Sequence, residues 1–316
     1  MKAILQALFV AFLWATSWVL IKIGLVDVPS ITFGGLRYFL AFLFMAAFFL
    51  RKGGLRTLRT IQARTWKRIL LLGVFYYALT QGAQYFGLGL LPAVTVNLLL
   101  GLSAVVVALF GIGILHERLT WLQWLGVILS PIGAWIYFYP AQFPVDKIIG
   151  IVVVVIGLFS NAIGMILGRD MNRSSELPPV ALTTLSMGVG AIIMLIAGIS
   201  IQGLPAFSLK SWGIIIWLAL VNTAFAFTLW NHTMRVLTAV ESSMINNTMM
   251  VQVPILAVIF LGEMITPRQL IGMAVTIAGV ILVQVFRKPI MEGNIPGIEK
   301  GSKPEPLRVH NTSGGQ

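Results

Sequence analysis

The sequence contains no cysteine, and its 316 residues include only ten aspartates and glutamates against 22 lysines and arginines. Without cysteine, the chain can form neither disulfide bonds nor thiolate metal sites. Charged residues of both signs amount to 10% of the chain, whereas a soluble domain carries about 25%. Hydrophobic residues amount to 58%, so most of the molecular surface must face lipid rather than water.

Motifs of catalytic chemistry are also absent from the sequence. There is no G-x-x-x-x-G-K-[ST] segment for ATP hydrolysis through a P-loop, no H-E-x-x-H motif, and no pattern typical of a Ser–His–acid set or a metal site. We therefore predict that the protein is not an enzyme and uses neither a metal nor another cofactor. The net charge of +12 does not indicate nucleic-acid binding, because the basic residues flank apolar segments, as in membrane proteins.

Ten apolar segments are each long enough, at about 20 residues, to cross a bilayer as a helix. The stretch from Arg51 to Arg68, between the second and third segments and including the first residue of the third, contains seven lysines and arginines. This predicts that the loop lies in the cytoplasm. With ten spans, both termini then also lie in the cytoplasm. We expect a multi-pass protein of a bacterial or archaeal plasma (inner) membrane. The segments lie near residues 3–22, 31–50, 68–88, 91–114, 120–138, 148–168, 180–200, 212–233, 239–260 and 266–286.

The second half of the chain repeats the first at an offset of 146 residues: Leu91, Thr120, Gln123, Gly126 and Gly133 reappear as Leu237, Thr266, Gln269, Gly272 and Gly279. Many secondary transporters contain such a duplication, and their two halves enclose a central site. Each half has five spans, an odd number, so the second copy must enter the membrane from the opposite side. We therefore predict an all-α fold of two inverted five-helix repeats. Residues 1–138 form the first repeat, 139–147 an external linker, 148–286 the second repeat and 287–316 a disordered basic tail.

Several segments resemble the EamA domain of the drug/metabolite transporter superfamily. The resemblance rests on Trp14–Lys22 followed by Gly35–Arg37, on His116–Thr120 with Gly126 and Gly133, and on Gly262–Glu263 with Gly272 and Gly279. It covers residues 1–286 and implies a ten-helix bundle, both ends cytoplasmic, that exports or exchanges small metabolites or drugs.

The chain departs from the family pattern in the middle of the fourth and ninth helices. The family often has proline there, where this chain has Ala104 and Met250. Pro254 follows Met250 by about one turn, which predicts a displaced kink. No arginine in the second half matches Arg37.

Uncharged polar and aromatic side chains within the spans are candidates for a substrate cavity. Amides that faced lipid would be unsatisfied, so they must face protein or a cavity. Some are expected to serve only as hydrogen-bonding groups between helices, each worth about 0.6 kcal/mol. Their concentration in the first, third, fourth, sixth, eighth and ninth spans favours a cavity lined by these helices. The candidates are Trp14, Ser17, Gln81, Gln84, Tyr85, Asn97, Ser103, Ser160, Asn161, Asn222, Trp230, Asn246, Asn247 and Gln252.

A few ionisable residues need separate interpretation. Arg37 lies about two turns inside the second span, where it can extend to the outer interface, meet a substrate anion or brace the bundle. Glu117 and Glu263 occupy equivalent positions before a helix, and each is either a helix cap or part of a gate. His232 is interpreted as an interfacial residue rather than a proton switch. No carboxylate lies near the middle of a span, which argues against proton coupling through a titrating acid.

These patterns favour a carrier of small metabolites such as amino acids, or of drugs, that works by alternating access in export or exchange. The alternative is a membrane-embedded receptor or structural subunit without transport activity, in which the polar residues only hold helices together. The duplication favours the carrier, since the alternative does not need two equivalent halves. The expected partners are a small-molecule substrate and the lipid bilayer, with no nucleic acid, and the protein is expected to be a monomer or homodimer.

Overall fold

The computed structural model describes residues 1–91, 96, 99–115, 119–140, 148–174, 176–204, 206–261 and 266–286. Regular secondary structure within these residues is entirely helical. A helix satisfies its own backbone N–H and C=O groups, as a chain surrounded by lipid requires. The helices are α1 (Lys2–Gly24), α2 (Ser30–Arg51), α3 (Gly54–Thr60), α4 (Ala63–Leu72), α5 (Thr80–Leu90), α6 (Ser103–Leu115), α7 (Trp121–Phe138), α8 (Ile148–Arg173), α9 (Pro179–Gln202), α10 (Leu209–Ala219), α11 (Ala226–Thr233), α12 (Ala239–Asn247), α13 (Met249–Leu261) and α14 (Pro267–Val285).

Six helical stretches are long and apolar enough to cross a membrane: Lys2–Gly24, Ser30–Arg51, Ile148–Arg173, Pro179–Gln202, Leu209–Thr233 and Ala239–Phe260. Two shorter apolar stretches are Leu99–Leu115 and Pro267–Val283. Each of these eight stretches overlaps one of the predicted apolar segments, because apolar length specifies a membrane helix. Helix α3 has no counterpart in the sequence prediction, which has only a loop between the second and third spans. It follows Gly53, whose φ of 83° allows the sharp turn out of α2.

Two π-helical segments interrupt the spans at nearly equivalent positions of the two halves. Gly73–Leu79 joins α4 to α5, and Leu220–Phe225 joins α10 to α11. Threonine hydroxyls help to satisfy the displaced backbone carbonyls, since Thr80 donates to the carbonyl of Phe75 at 2.7 Å and Thr223 donates to that of Leu218 at 2.8 Å. Such π segments are frequent at functional sites, because they rotate the following side chains relative to a regular helix.

A second pair of interruptions lies at Leu102 and Thr248, which are 146 residues apart. Helix α6 begins directly after the turn at Leu102 and α13 directly after the turn at Thr248. Neither interruption is at a proline: the chain breaks at Thr248, before Pro254, which lies inside α13. The Nδ2 group of Asn247 donates to the carbonyl of Gly101 at 3.3 Å, so residues at the same position of each half meet here.

Helices α7 and α14 cross closely and run antiparallel. A Cβ atom added at Gly126 would lie 2.5 Å from the carbonyl oxygen of Gly279, and one added at Gly133 would lie 2.6 Å from that of Gly272. Each contact therefore joins a glycine of one half to the copy of the other glycine. The two helices also begin alike, with capping boxes at Thr120 and Thr266 in which a glutamine three residues later completes the cap.

Candidate functional site

A cavity of about 840 Å³, measured with its open mouth, lies between helices from both halves of the chain. Its wall comes from α1, α2, the segment from Tyr76 to α5, the start of α6, α8, α11, α12 and α13. No described residue of α7 or α14 belongs to the wall, in line with the few polar residues of those helices. The wall residues are Trp14, Ser17, Trp18, Ile21, Arg37, Tyr38, Tyr76, Thr80, Gln81, Gln84, Tyr85, Leu100, Gly101, Ser103, Asn161, Phe227, Asn246, Asn247, Met249 and Met250.

Most of the predicted cavity residues meet on this wall. They come from spans far apart in sequence, and the cavity brings their side chains together. Their part in binding a substrate remains a prediction. The candidates on the wall are Trp14, Ser17, Arg37, Gln81, Gln84, Tyr85, Ser103, Asn161, Asn246 and Asn247. Asn97, Glu117 and Glu263 lie outside the described residues.

Four candidates do not reach the cavity wall, and three of these support residues near it. Trp230 is fully buried behind Trp14, with 5.0 Å between ring centroids. Asn222 is buried and binds α1, and the Nε2 group of Gln252 donates to Thr248 Oγ1 at 2.9 Å, at the break just before α13. Ser160 is also buried, at 3% exposure. The contacts of Asn222 and Gln252 are those of residues that form hydrogen bonds within the bundle rather than those of residues that line the cavity.

Part of the cavity wall was not predicted from the sequence. Thr80 precedes Gln84 by four residues, so the helical repeat could have placed both on one face. The other missed residues are Trp18, Ile21, Tyr38, Tyr76, Leu100, Gly101, Phe227, Met249 and Met250. These are apolar or aromatic, or glycine, and the sequence of a membrane helix does not distinguish such residues on a cavity wall from those that face lipid.

Arg37 is buried within the bundle and carries the only charge among the described wall residues. Its Nε group donates to Thr223 Oγ1 at 2.7 Å and its Nη1 group to Tyr85 Oη at 3.1 Å. Its Nη2 group donates to Ser17 Oγ at 3.4 Å and to the backbone carbonyl of Asn222 at 3.3 Å. Only 3% of Arg37 is exposed. The interpretation as a residue that extends to the interface is therefore wrong, because neutral groups of other helices bind its guanidinium within the bundle.

Aromatic rings pack together at one end of the cavity, with Phe227 at their centre. Its ring centroid lies 4.8 Å from Trp14, 5.0 Å from Tyr77, 5.9 Å from Tyr76 and 6.0 Å from Tyr38. These five residues, the aromatic cluster, come from α1, α2, the first π segment and α11. Edge-to-face and tilted pairs of this kind contribute about 0.5–1.5 kcal/mol each beyond their burial. We interpret the cluster as a seal between the cavity and the end of the bundle at which α1 begins.

Polar contacts tie the helices together beyond that seal. Arg68 of α4 forms a salt bridge with Asp170 of α8, and its Nη1 atom lies 3.9 Å from Glu176 Oε1. Thr65 Oγ1 donates to the other oxygen of Glu176 at 3.1 Å. His232, at the end of α11, is exposed at this same end of the bundle, as its interpretation as an interfacial residue requires.

The opposite end of the bundle is fastened by Asp27, in the loop after α1. Its Oδ2 atom accepts hydrogen bonds from Ser211 and Ser208, both at 2.9 Å, at the start of α10. These two hydrogen bonds, helped by the charge of Lys210, hold the pKa of the Asp27 carboxyl below its ordinary value. Among the described residues, no group of three or more histidines, aspartates or glutamates is placed to hold a metal ion.

The model of the EamA-like transporter family matches residues 1–139 and 148–285. The chain belongs to the EamA-like transporter family. The resemblance seen in the sequence motifs is thereby confirmed, and the family together with the long apolar helices indicates a multi-pass membrane transporter.

Two uncharacterized transporters, one from a bacterium and one from an archaeon, are similar to this chain along most of their length. The uncharacterized transporter YoaV of Bacillus subtilis is 21% identical over 291 residues, which cover 89% of this chain and 96% of YoaV. An uncharacterized transporter of Archaeoglobus fulgidus is 25% identical over 280 residues, covering 85% of this chain and 93% of the relative.

A protein of known crystal structure has the same fold. It superposes with a TM-score of 0.76 at 17% sequence identity, and the match covers 90% of this EamA-family chain and 98% of the other. At this identity, the likeness establishes the fold alone.

Proposed function

We propose that this protein carries small metabolites, such as amino acids or related compounds, or drugs across the cytoplasmic membrane by alternating access, in export or exchange. One observation carries the proposal: both halves of the chain contribute to a single polar cavity that the aromatic cluster closes at one end. A carrier needs a central site with access from one side at a time.

The proposed frame is a bundle of ten spans in two inverted repeats, with both termini in the cytoplasm. The recurrence of helix bounds supports it, since α6 and α13 begin 146 residues apart and end 146 residues apart. The antiparallel glycine contacts of α7 and α14 are those expected of a two-fold axis that lies across the helices. Seven basic residues from Arg51 to Arg68 support a cytoplasmic position for the loop between the second and third spans.

In this orientation, the conformation described here faces outward. The wall residues Trp14, Trp18 and Ile21 occupy the second half of α1, toward Gly24, and Arg37 lies in the first half of α2. The loop joining these helices is therefore on the open side. Phe227 lies near the other end of its span, which finishes at Thr233. An inward-facing state requires the aromatic cluster and the salt bridges of Arg68 to separate.

Counterflow in proteoliposomes tests the proposal. Vesicles containing the purified protein are loaded with an unlabelled metabolite mixture and exposed to labelled members of that mixture at trace concentration. We expect labelled compound to accumulate transiently in protein-containing vesicles only, because exchange through one site couples the two fluxes. A receptor or structural subunit predicts no counterflow with any compound, and that result across a broad mixture would exclude the carrier.

A further inference from the structure

The cavity wall combines one positive charge with aromatic rings and neutral amides. Arg37 supplies the charge, and Trp14, Trp18, Tyr38, Tyr76, Tyr85 and Phe227 supply the rings. Gln81, Gln84, Asn161, Asn246 and Asn247 supply the amides. No aspartate or glutamate lies on the described part of this wall. The wall thus offers a substrate a positive site and flat apolar surfaces, but no negative charge.

The charge of Arg37 is not neutralised by a carboxylate within the described residues. Asp27 accepts hydrogen bonds from serines of the loop and α10, Asp170 and Glu176 pair with Arg68, and Glu241 caps α12 through Thr238. All four hydrogen-bond acceptors of Arg37 are hydroxyl or carbonyl oxygens. A cation held within a membrane protein without a counter-ion is costly, and an anion that enters the cavity lowers that cost.

Two hydrogen-bond donors next to this charge have no acceptor among the described residues. A guanidinium has five N–H groups, and four of those of Arg37 are directed at protein acceptors, which leaves one on Nη1. The hydroxyl of Tyr85 accepts from that same Nη1 atom at 3.1 Å, so its own proton remains free to donate. Both residues line the cavity. An oxyanion can therefore accept from Arg37 and Tyr85 together, in charge-assisted hydrogen bonds.

We propose, on the basis of the transport function proposed above, that the substrate is an organic monoanion: a carboxylate attached to an aromatic or similarly flat apolar body, without a positive charge. Arg37 and Tyr85 bind the carboxylate, and the rings of Trp14 and Phe227 contact the body. An ammonium group finds amide oxygens but no carboxylate on the described wall, so a zwitterion or cation binds less well. A phosphate dianion brings a second negative charge for which the described wall holds no second cation.

Four compounds that share a phenylpropyl skeleton test this assignment: 3-phenylpropionate, L-phenylalanine, 3-phenylpropan-1-ol and 3-phenylpropylamine. Binding to the purified full-length protein in detergent at neutral pH is measured by calorimetry and by quenching of tryptophan fluorescence, since Trp14 and Trp18 line the cavity. We expect 3-phenylpropionate to bind at least about tenfold more tightly than the alcohol, because its hydrogen bonds are charge-assisted. The amine should bind most weakly.

Substitutions of Arg37 and Tyr85 test whether these two residues cause the preference for the anion. Arg37→Gln should raise the Kd of 3-phenylpropionate about tenfold, to the level of the alcohol, and leave the Kd of the alcohol within about twofold. Tyr85→Phe keeps the ring and removes the hydroxyl, and should weaken anion binding alone by about three- to tenfold. This second variant decides the matter if Arg37→Gln does not fold. Arg268→Gln removes an exposed cation outside the cavity and should change neither affinity.

Several results would overturn the assignment. These are equal affinity for the anion and the alcohol, tightest binding of phenylalanine or the amine, no binding of any of the four compounds, or an anion preference that survives in both Arg37→Gln and Tyr85→Phe. The outcome is separable from that of the transport proposal. Counterflow of neutral or cationic compounds without an anion preference would support the transport proposal and refute the anionic substrate. Anion binding without any counterflow would support the anion site and refute transport.

Discussion

Asn222 joins two helices through both its side chain and its backbone. Its Nδ2 group donates to Thr16 Oγ1 and Ser17 Oγ, both at 3.0 Å, while its backbone carbonyl accepts from Trp14 Nε1 at 3.0 Å and from Arg37. Asn161, by contrast, lines the cavity and is half-buried. The two asparagines therefore differ in role, although the sequence presents them alike.

Truncation of each asparagine should separate stability from transport. Asn222→Ala removes the amide that donates to the hydroxyl groups of Thr16 and Ser17 on α1, and should reduce the free energy of unfolding by about 1–3 kcal/mol. Asn161→Ala removes a wall amide and should reduce transport several-fold, with little change in thermal stability. Thermal unfolding in detergent and counterflow in proteoliposomes measure the two effects. If both variants lose stability equally and transport equally, the distinction between wall and support is wrong.

Asp27 makes the stability of the loop between α1 and α2 depend on pH in a known direction. The pKa of its carboxyl is lowered in the folded protein by the hydroxyls of Ser211 and Ser208. A lowered folded pKa means that the stabilisation is fully present above the unfolded value, about 3.9, and is lost as the pH falls through the folded value. The contribution is constant at neutral pH and fades only in acid.

We expect Asp27→Asn to lower the melting temperature at pH 7. The difference from the wild type should shrink as the pH falls below about 4, toward the lowered pKa at which the folded wild-type carboxyl becomes protonated. Melting curves of both proteins between pH 7 and pH 3 give the difference directly. A difference that stays constant over this range would mean that the charge of Asp27 does not contribute to the contact.

At the level of helices, the seal of the cavity depends on elements with irregular backbone. The aromatic cluster takes Tyr76 and Tyr77 from the first π segment, and Phe227 follows the second π segment by two residues. A π segment shifts the helical register, which changes the face on which the following residues lie. The rings can meet around Phe227 because both spans contain such a shift.

Phe227→Ala should open the cavity on the side at which the aromatic cluster lies. The substitution removes the ring contacted by four others, so a cysteine placed on the wall by Ser103→Cys should react several-fold faster with an impermeant maleimide in inside-out vesicles. Phe260→Ala is the matched control, because the Phe260 ring is 68% exposed on a lipid-facing surface. Equal labelling rates in the two variants would show that Phe227 does not close the cavity on that side.

The helix positions could be predicted from the sequence because apolar length is sufficient to specify a membrane span. The interruptions at Leu102 and Thr248 and the two π segments could not, since none of them coincides with a proline. The hydrogen-bond partners of Arg37 could not be predicted from the sequence either. Thr223 lies 186 residues away, and only the rotation of α2 against α10 and the second π segment decides which side chains face the guanidinium.

For the whole molecule, the predicted orientation can be tested with single cysteines, because the chain contains none. Val26, in the loop after α1, is 83% exposed, and Arg56, in α3, is also exposed. We expect Val26→Cys to react with an impermeant maleimide in intact cells, and Arg56→Cys to react only after the membrane is permeabilised. Labelling of Arg56→Cys in intact cells would reverse the orientation, and with it the assignment of the open side.

The contact between Asn247 and Gly101 has an energetic consequence for the whole cycle. In an inverted repeat, the opposite conformation arises when the halves exchange their shapes, so each contact between equivalent residues should reappear with its members exchanged. This one cannot, because Gly101 has no side chain to donate to the carbonyl of residue 247. In the proposed cycle, one hydrogen bond, worth about 0.5–1.5 kcal/mol, therefore favours the state we propose to face outward by roughly two- to tenfold.

Asn247→Ala should remove that thermodynamic bias and move the resting population of carriers toward the inward-facing state by the same factor. Distances between spin labels on the two ends of the bundle measure the populations. In the proposed carrier, the identity of the residue at position 101 thus makes the populations of the two states unequal, although the two halves are nearly equivalent.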